Sequence, residues 1–360
     1  MRESSIVVRP EPMGSANYTE SSRLQAAGLR PAMRLFEEAA RTVAIPRAPQ
    51  PIAIVDYGAA TGYNSLLPIS AAIAIIRRRT RSDHAILVAH TDVPDNDFTA
   101  LFSTLSDDQD SYLKKDSATY ASVVGRSFYT QILPSDSIAL GWSSWATHWL
   151  RRTPMPIPDH IEVSHSADET ARRAYARQGA EDWHEFIAFR GRELAPGGRL
   201  VVLTVGRDAD GSSGFETAFA AIMTALDRFV REGLVTADEM HHMSIPSTGR
   251  DEKDFRAPFA PSGRFEGLSI EHLELFNGED RFWSQFCADK DATAFGANWA
   301  QFLRASMFPM LAAAVDADGD RRRLFVEQLE AAVAEQLAAT PTPMSIPLAL
   351  VVLGKQRRSA

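Results

Sequence analysis

Cysteine is almost missing from this sequence: Cys287 is the one thiol among 360 residues. A single thiol cannot close an internal disulfide and cannot build a cysteine cluster around a metal ion. We interpret Cys287, which lies near Trp283 and Phe286, as a small core residue. The low cysteine content is typical of a reducing compartment, so we predict a cytoplasmic protein.

Long apolar runs are also missing. A bilayer-spanning helix needs about 20 apolar residues, and the best run, Leu66 to Ile76, is interrupted by Pro68 and Ser70. The N-terminus carries no apolar segment of the signal-peptide type. We therefore predict no membrane span.

Positive charge is in deficit, with a formal net charge of -8. Nucleic-acid-binding proteins usually carry a basic face, so we predict no nucleic-acid partner. The histidines are scattered without the spacing of metal ligands, so we also predict no metal site. Hydrophobic residues make up 45% and charged residues 23% of the chain, which is typical of a globular protein.

Strands and helices alternate along the first 210 residues. Buried-type strands are predicted near 52–55, 84–89, 136–141 and 199–205, and helices over 18–44, from 63 to 78 and over 168–194. This order predicts an α/β fold whose parallel sheet is covered by helices on both faces.

After residue 210 the alternation gives way to helical stretches that are rich in aromatic residues, so we predict an α-helical cap built from insertions. The predicted organisation is an N-terminal arm and helix that contribute to the active site (1–48), an α/β core (49–210), a first cap segment (211–264), a core strand (265–277), a second cap segment (278–340) and a C-terminal core strand with its tail (341–360).

The sharp turn DYGAATG follows the first predicted strand and opens into a helix, which is where α/β folds bind nucleotides. Gly58 and Gly62 permit close approach of the backbone to a ligand, but the dinucleotide pattern Gly-x-Gly-x-x-Gly is missing. A plain tight turn is the alternative. Asp92 ends the second predicted strand, where an acidic group can hold a ribose; its alternative role is a helix cap.

Five segments together resemble the SABATH family of S-adenosylmethionine-dependent methyltransferases, which methylate carboxylic acids and, in one branch, ring nitrogens of purine alkaloids. The segments are Tyr18 to Gln25, Ile54 to Leu66, Thr91 to Phe98, Gly125 to Pro154 and Gln178 to Arg207. The third and fourth, with PxNDF, SFY, LPSDS and SSWATHWL, are the most specific. The chain resembles bacterial rather than plant members.

The resemblance implies a Rossmann-like class I methyltransferase fold, S-adenosyl-L-methionine as cofactor, a small carboxylic acid as substrate and a homodimer. It places the cofactor contacts on Tyr18, Ser22, Asp56, Gly58, Asn64, Asp92, Val93, Ser127 and Phe128. It places the carboxylate clamp on Gln25 and Trp149, and the substrate pocket also on Trp145 and His148. Two departures are NYTESS at 17–22, for Ser-Tyr-Ala-x-Asn-Ser, and Trp145 for the usual tyrosine.

Methyl transfer to a carboxylate needs no general base, because a free carboxyl group is already ionised at neutral pH. The protein has to orient the acceptor oxygen, and proximity of this kind can supply about 7–11 kcal/mol. Gln25 and Trp149 offer neutral N–H donors for this task. Trp145, His148 and Trp149 lie at helical spacing and could share one helix face; an ordinary buried stripe is the alternative.

The cap residues indicate the acid. Phenylalanine, tryptophan and methionine predict an apolar pocket, so we favour a fatty acid, with benzoate-, salicylate- or indole-acetate-type acids next. Three alternatives stay open: N-methylation of a heterocycle, a nicotinamide-dependent oxidoreductase, and a ligand-binding protein with a degenerate methyltransferase fold.

Overall fold

The computed structural model describes residues 29–316 and 319–357. Within these ranges, seven strands form one sheet. They are β1 (Ile52–Tyr57), β2 (Ile86–Asp92), β3 (Thr119–Gly125), β4 (Ile138–Ser144), β5 (Leu194–Val205), β6 (Leu268–Asn277) and β7 (Pro347–Lys355). Their spatial order is β3-β2-β1-β4-β5-β7-β6.

The helices of the described ranges surround this sheet. They are α1 (Arg30–Thr42), α2 (Tyr63–Arg77), α3 (Phe98–Asp107), α4 (Tyr112–Lys115), α5 (Glu169–Glu193), α6 (Glu216–Glu232), α7 (Ala237–His241), α8 (Glu252–Arg256), α9 (Arg281–Asp289), α10 (Ala292–Ser306), α11 (Phe308–Ala312) and α12 (Gly319–Ala339). Short 3₁₀ turns cover Val163–His165 and Ala257–Phe259.

The sheet is mixed rather than fully parallel. Strands β1 to β5 pair in parallel, whereas β7 pairs antiparallel with both β5 and β6. The parallel sheet expected from the first 210 residues is confirmed for β1 to β5, and the two later strands add an antiparallel edge. The chain reaches β7 from the cap, so this strand enters the sheet from the opposite end.

The sequence does not predict strand β3, so the strand predicted near 136–141 corresponds to β4. The side chains of β3 are mostly half-buried or exposed, as at Tyr120, because β3 lies at one edge of the sheet. The Pro196–Gly198 turn lies inside β5. There the pairing with β4 shifts register, and Gly197 has a φ of 83°.

Strand β1 shows why both faces of the sheet are covered. Ile52 and Ile54 belong to the apolar cluster that contains α1 and α2. Val55 and Tyr57 belong to a second cluster, which contains Trp183 and Phe186 of α5. Alternate residues of a strand point to opposite faces, so a continuous apolar run buries both faces.

The cap consists of the helices inserted between β5 and β6 and between β6 and β7. Helix α12 packs against both α10 and α6, which joins the two insertions. The expectation that Cys287 is a core residue is wrong, because Cys287 is exposed. Helix α9 turns Phe282, Trp283 and Phe286 towards the core, and Cys287 lies off that face.

None of the helices within the described ranges meets the length and hydropathy requirements of a transmembrane segment.

Candidate active site

The loop between β1 and α2 depends on its glycines. Gly58 and Gly62 have φ values of 83° and 76°, in the left-handed region that favours glycine. A Cβ on Gly58 would lie 2.4 Å from the Cβ of Ala146, in the loop that follows β4. The absence of a side chain at Gly58 thus lets the loops at the carboxyl ends of β1 and β4 touch. Nothing in the sequence indicated that Ala146 makes this contact.

Asp92 fixes the glycine loop from the neighbouring strand. Its carboxylate accepts hydrogen bonds from the backbone N–H groups of Ala60, at 2.7 Å, and of Val93, at 2.8 Å. Only 5% of its surface is exposed. The cap of α3 is Asp97, which accepts from the N–H of Ala100, so the alternative role of Asp92 as that helix cap is wrong.

Asp56 lies at one end of a buried polar chain that the sequence did not reveal. His90 Nδ1 lies 3.0 Å from Asp56 Oδ2, and His90 Nε2 lies 2.9 Å from the hydroxyl oxygen of Tyr112. Burial and the charge of Asp56 raise the pKa of Tyr112, so the phenol keeps its proton and donates it to Nε2. Because the Asp56 carboxylate can only accept, His90 donates a ring N–H from Nδ1 to it.

The SFY segment lies beside the glycine loop. A Cβ on Gly58 would come within 3.5 Å of the Phe128 ring. The segment is held by Arg190, whose guanidinium donates to the carbonyl oxygens of Phe128 and Thr130 at 2.7 and 3.0 Å. Arg190 also forms an ion pair with Glu193 at 2.9 Å, and both side chains are fully buried.

Ser127 and Asn64 border the same region. Ser127 is half-buried, and its hydroxyl oxygen accepts a hydrogen bond from the N–H of Tyr129 at 3.3 Å. Asn64 lies in the first turn of α2, and its buried Oδ1 has no hydrogen-bond partner within the described residues. A buried polar atom of this kind normally has a partner, so Asn64 offers an acceptor to a ligand.

The residues Trp145 to Trp149 form a turn rather than a helix, so the expectation of one shared helix face is wrong. The three rings still lie together: the centroids of Trp145 and His148 are 6.4 Å apart, and those of His148 and Trp149 are 4.7 Å apart. Trp145 has a φ of 54°, which is uncommon for a bulky residue. A tight turn brings residues three and four apart together as a helix does.

Burial makes His148 a neutral ring. Desolvation, and to a lesser degree the charge of Arg250, lower the pKa of His148 to about 3. Its Nδ1 has no hydrogen-bond partner in the part of the chain that the structure describes. This site therefore places an uncharged imidazole beside Trp149.

Trp149 is 4% exposed, and its indole N–H has no acceptor among residues 29–316 and 319–357. An unsatisfied buried donor costs about 1–3 kcal/mol, which favours a site whose acceptor arrives with a ligand. Tyr18, Ser22 and Gln25 lie outside the described residues. Within the described residues, no group of three His, Cys, Asp or Glu side chains is arranged to hold a metal ion.

Comparison with known proteins identifies the chain. The profile of a family described as SAM dependent carboxyl methyltransferase matches residues 7–355. Salicylate carboxymethyltransferase of Clarkia breweri is 27% identical over 276 residues, which are 72% of this chain and 74% of the relative. Anthranilate O-methyltransferase 3 of Zea mays is 26% identical over 323 residues, 83% of this chain and 84% of the relative.

Among solved structures, a loganic acid methyltransferase with SAH superposes with a TM-score of 0.75. It is 20% identical and covers 97% of this chain and 99% of its own, so it supports the fold. The fold is that of the class I methyltransferases, and the cofactor is S-adenosylmethionine. Because the family profile spans nearly the whole sequence, the chain belongs to the SABATH family of S-adenosylmethionine-dependent carboxyl methyltransferases.

Proposed function

We propose that this enzyme forms methyl esters of small aromatic carboxylic acids, with Trp149 as one arm of the clamp that holds the acid. The observation that carries this proposal is the buried indole N–H of Trp149, which has no acceptor within the described ranges. Trp149 lies beside the His148 ring, in the loop whose Ala146 packs against Gly58. A carboxylate oxygen is the acceptor that the family chemistry supplies. The second arm is proposed at Gln25, which lies outside the described residues.

Trp149 suits a carboxylate because its donor is neutral. An indole N–H can orient one oxygen without adding positive charge beside the cationic cofactor. A cation in contact with the acid would stabilise the ground state as well as the transition state, and such uniform binding does not speed the chemical step. Positioning is the contribution that remains for the clamp to make.

His148 lines the acceptor site in this proposal and removes no proton. The acid reacts as its carboxylate, so the new bond between oxygen and methyl carbon forms without the release of a proton. With a pKa of about 3, the imidazole is neutral at pH 7. Together with Trp145 it would form a wall of the pocket, whose apolar surroundings exclude water.

The residues around the glycine loop would hold the cofactor. S-adenosylmethionine supplies, when bound, an electrophilic methyl group on a positively charged sulfur. Asp92 would hold the ribose, and Phe128 would pack on the adenine ring. Asn64 Oδ1, which has no hydrogen-bond partner within the described ranges, fits a ligand that brings a donor to the first turn of α2. Asp56 and Val93, on β1 and just after β2, and Ser127 would complete this site.

The proposed acid is aromatic because the relatives named above act on salicylate and anthranilate. A fatty acid is the second candidate. Met243 and Met307 are buried in the same apolar cluster as Trp149, with Met240 and Met310 packed against it. Methionine walls adapt to unbranched chains. The homodimer and the cytoplasmic location stay predictions.

The test is methyl transfer from radiolabelled S-adenosylmethionine to a panel of acids, measured as extractable methyl ester. The panel contains benzoate, salicylate, anthranilate, indole-acetate, fatty acids of graded length and a xanthine. We expect label in an aromatic ester. Trp149→Phe replaces the indole with a smaller phenyl ring and loses one charge-assisted hydrogen bond of about 1.5–3 kcal/mol, so kcat/KM should fall roughly 10- to 150-fold.

Trp183→Phe is the matched control. Trp183 is equally buried, but its N–H already donates to the carbonyl oxygen of Phe255 at 3.2 Å, on the face covered by α5. This variant loses the same ring volume but no bond to the acid, so its kcat/KM should fall much less than that of Trp149→Phe. Transfer only to the xanthine would refute esterification, and full activity of Trp149→Phe would refute the clamp.

A further inference from the structure

The backbone of the acceptor loop is held at three successive carbonyl groups. Arg250 Nη1 donates to the carbonyl oxygen of Thr147 at 2.7 Å. The N–H of Thr248 donates to that of His148 at 3.0 Å. The third carbonyl, that of Trp149, accepts from the hydroxyl of Tyr129 at 2.6 Å.

Tyr129 differs from the other two donors in its origin. Arg250 and Thr248 come from the first cap segment, whereas Tyr129 directly follows Ser127 and Phe128 on the cofactor side. Its ring contacts the Phe128 ring, with centroids 4.8 Å apart. Tyr129 is 3% exposed, so its hydroxyl bond is shielded from water.

The segment that carries Tyr129 is itself rigid. The carbonyl groups on either side of it, of Phe128 and Thr130, both accept from Arg190. Arg190 is in turn paired with Glu193 on α5. The Tyr129 side chain therefore starts from a backbone segment that is held in place, so its hydroxyl can set the position of the carbonyl group that accepts from it.

We propose that Tyr129 is a positioning residue: its hydroxyl fixes the backbone of Trp149, and through it the indole N–H, relative to the cofactor site. This inference rests on the proposed function of Trp149. It predicts that one hydroxyl group, which need not touch either ligand, sets the alignment of acceptor oxygen and methyl group. Misplacement by about 1 Å can lower the rate of an aligned reaction by about 100-fold.

The experiment compares Tyr129→Phe with Tyr175→Phe. Tyr175 is fully buried and donates to the carbonyl oxygen of Met155 at 3.1 Å, in an apolar cluster that contains Leu150 but not Trp149. Both variants lose one buried hydroxyl-to-carbonyl bond, so both should lose similar thermal stability. Only Tyr129→Phe should lower kcat, by about 10- to 100-fold, with the calorimetric Kd for S-adenosylhomocysteine unchanged.

Hydrogen exchange supplies a readout that does not depend on turnover. The N–H of Leu150 donates to the carbonyl oxygen of Pro246 at 2.7 Å. Its exchange in the S-adenosylhomocysteine complex should accelerate more in Tyr129→Phe than in Tyr175→Phe, because only the Tyr129 hydroxyl bonds to the residue before Leu150. If the wild type esterifies no acid, the proposed function fails, while the exchange comparison still decides whether Tyr129 holds the loop.

Two results would overturn the inference. One is a Tyr129→Phe enzyme with wild-type kcat and wild-type exchange at Leu150. The other is an equal loss of kcat in Tyr175→Phe, which would show that a general loss of stability explains both variants.

Discussion

Gly58→Ala should destabilise the protein because of a contact between two loops. The substitution places an L-residue at a φ of 83°, which costs about 1–2 kcal/mol. It also places a Cβ 2.4 Å from the Cβ of Ala146. Overpacking of this kind costs about 1–3 kcal/mol. The expected loss in the free energy of unfolding is therefore about 2–5 kcal/mol.

Gly62→Ala separates the two causes. Gly62 has a φ of 76°, but a Cβ there would lie 3.5 Å from Leu101, an ordinary contact. This variant should lose only about 1–2 kcal/mol in urea denaturation. Introducing Ala146→Gly should make the effect of Gly58→Ala equal to that of Gly62→Ala. Equal losses in the two single variants would refute the reasoning, because the contact with Ala146 would then contribute nothing.

The remaining predictions concern the two buried histidines. Tyr112→Phe should lower the free energy of unfolding in urea by about 1–3 kcal/mol, because His90 Nε2 loses its hydrogen-bond donor. It should also weaken calorimetric binding of S-adenosylhomocysteine, because Asp56 loses its fixed partner. The exposed Tyr120→Phe is the control, and wild-type values for Tyr112→Phe would contradict the role of these hydrogen bonds. For His148, the pKa is about 3 when folded and about 6.5 when unfolded. Between these two pKa values the imidazole binds a proton only in the unfolded state, so the free energy of unfolding falls as the pH falls. From pH 7 to pH 5 the wild type should lose about 2 kcal/mol more than His148→Gln; equal losses would contradict a buried neutral ring.

The sequence predicted those strands and turns that a few neighbouring residues determine. The apolar run of β1 and the turn with Gly58 and Gly62 are visible because a buried strand and a left-handed turn require particular residues at particular positions. The edge strand β3 was missed because its side chains are only partly buried and its apolar pattern is weak. The antiparallel direction of β7 could not be read from its own residues, because the path of the insertion before it sets the end from which it enters the sheet.

Contacts between distant segments could not be predicted. Asp56 and His90 meet because they are register partners in the parallel pair of β1 and β2, and a sequence does not state its register. The Tyr129 hydroxyl reaches Trp149 across twenty residues of chain. Family resemblance supplied the candidate site residues, whereas the hydrogen bonds that support those residues became visible only in three dimensions.

The second cap insertion leaves the sheet after β6 and returns at the start of β7. Since β7 runs antiparallel to β6, both points lie at the same end of the sheet. It is the end at which the parallel strands β1 and β4 finish. The insertion thus begins and ends at the same end of the sheet, and its described residues, 278–316 and 319–346, add no strand to it. Its length and composition can change through evolution or engineering while β1 to β5 keep their order. In the proposed function the cofactor site lies on β1, β2 and the segment after β3, so such changes would act on the proposed acceptor pocket and leave that site in place.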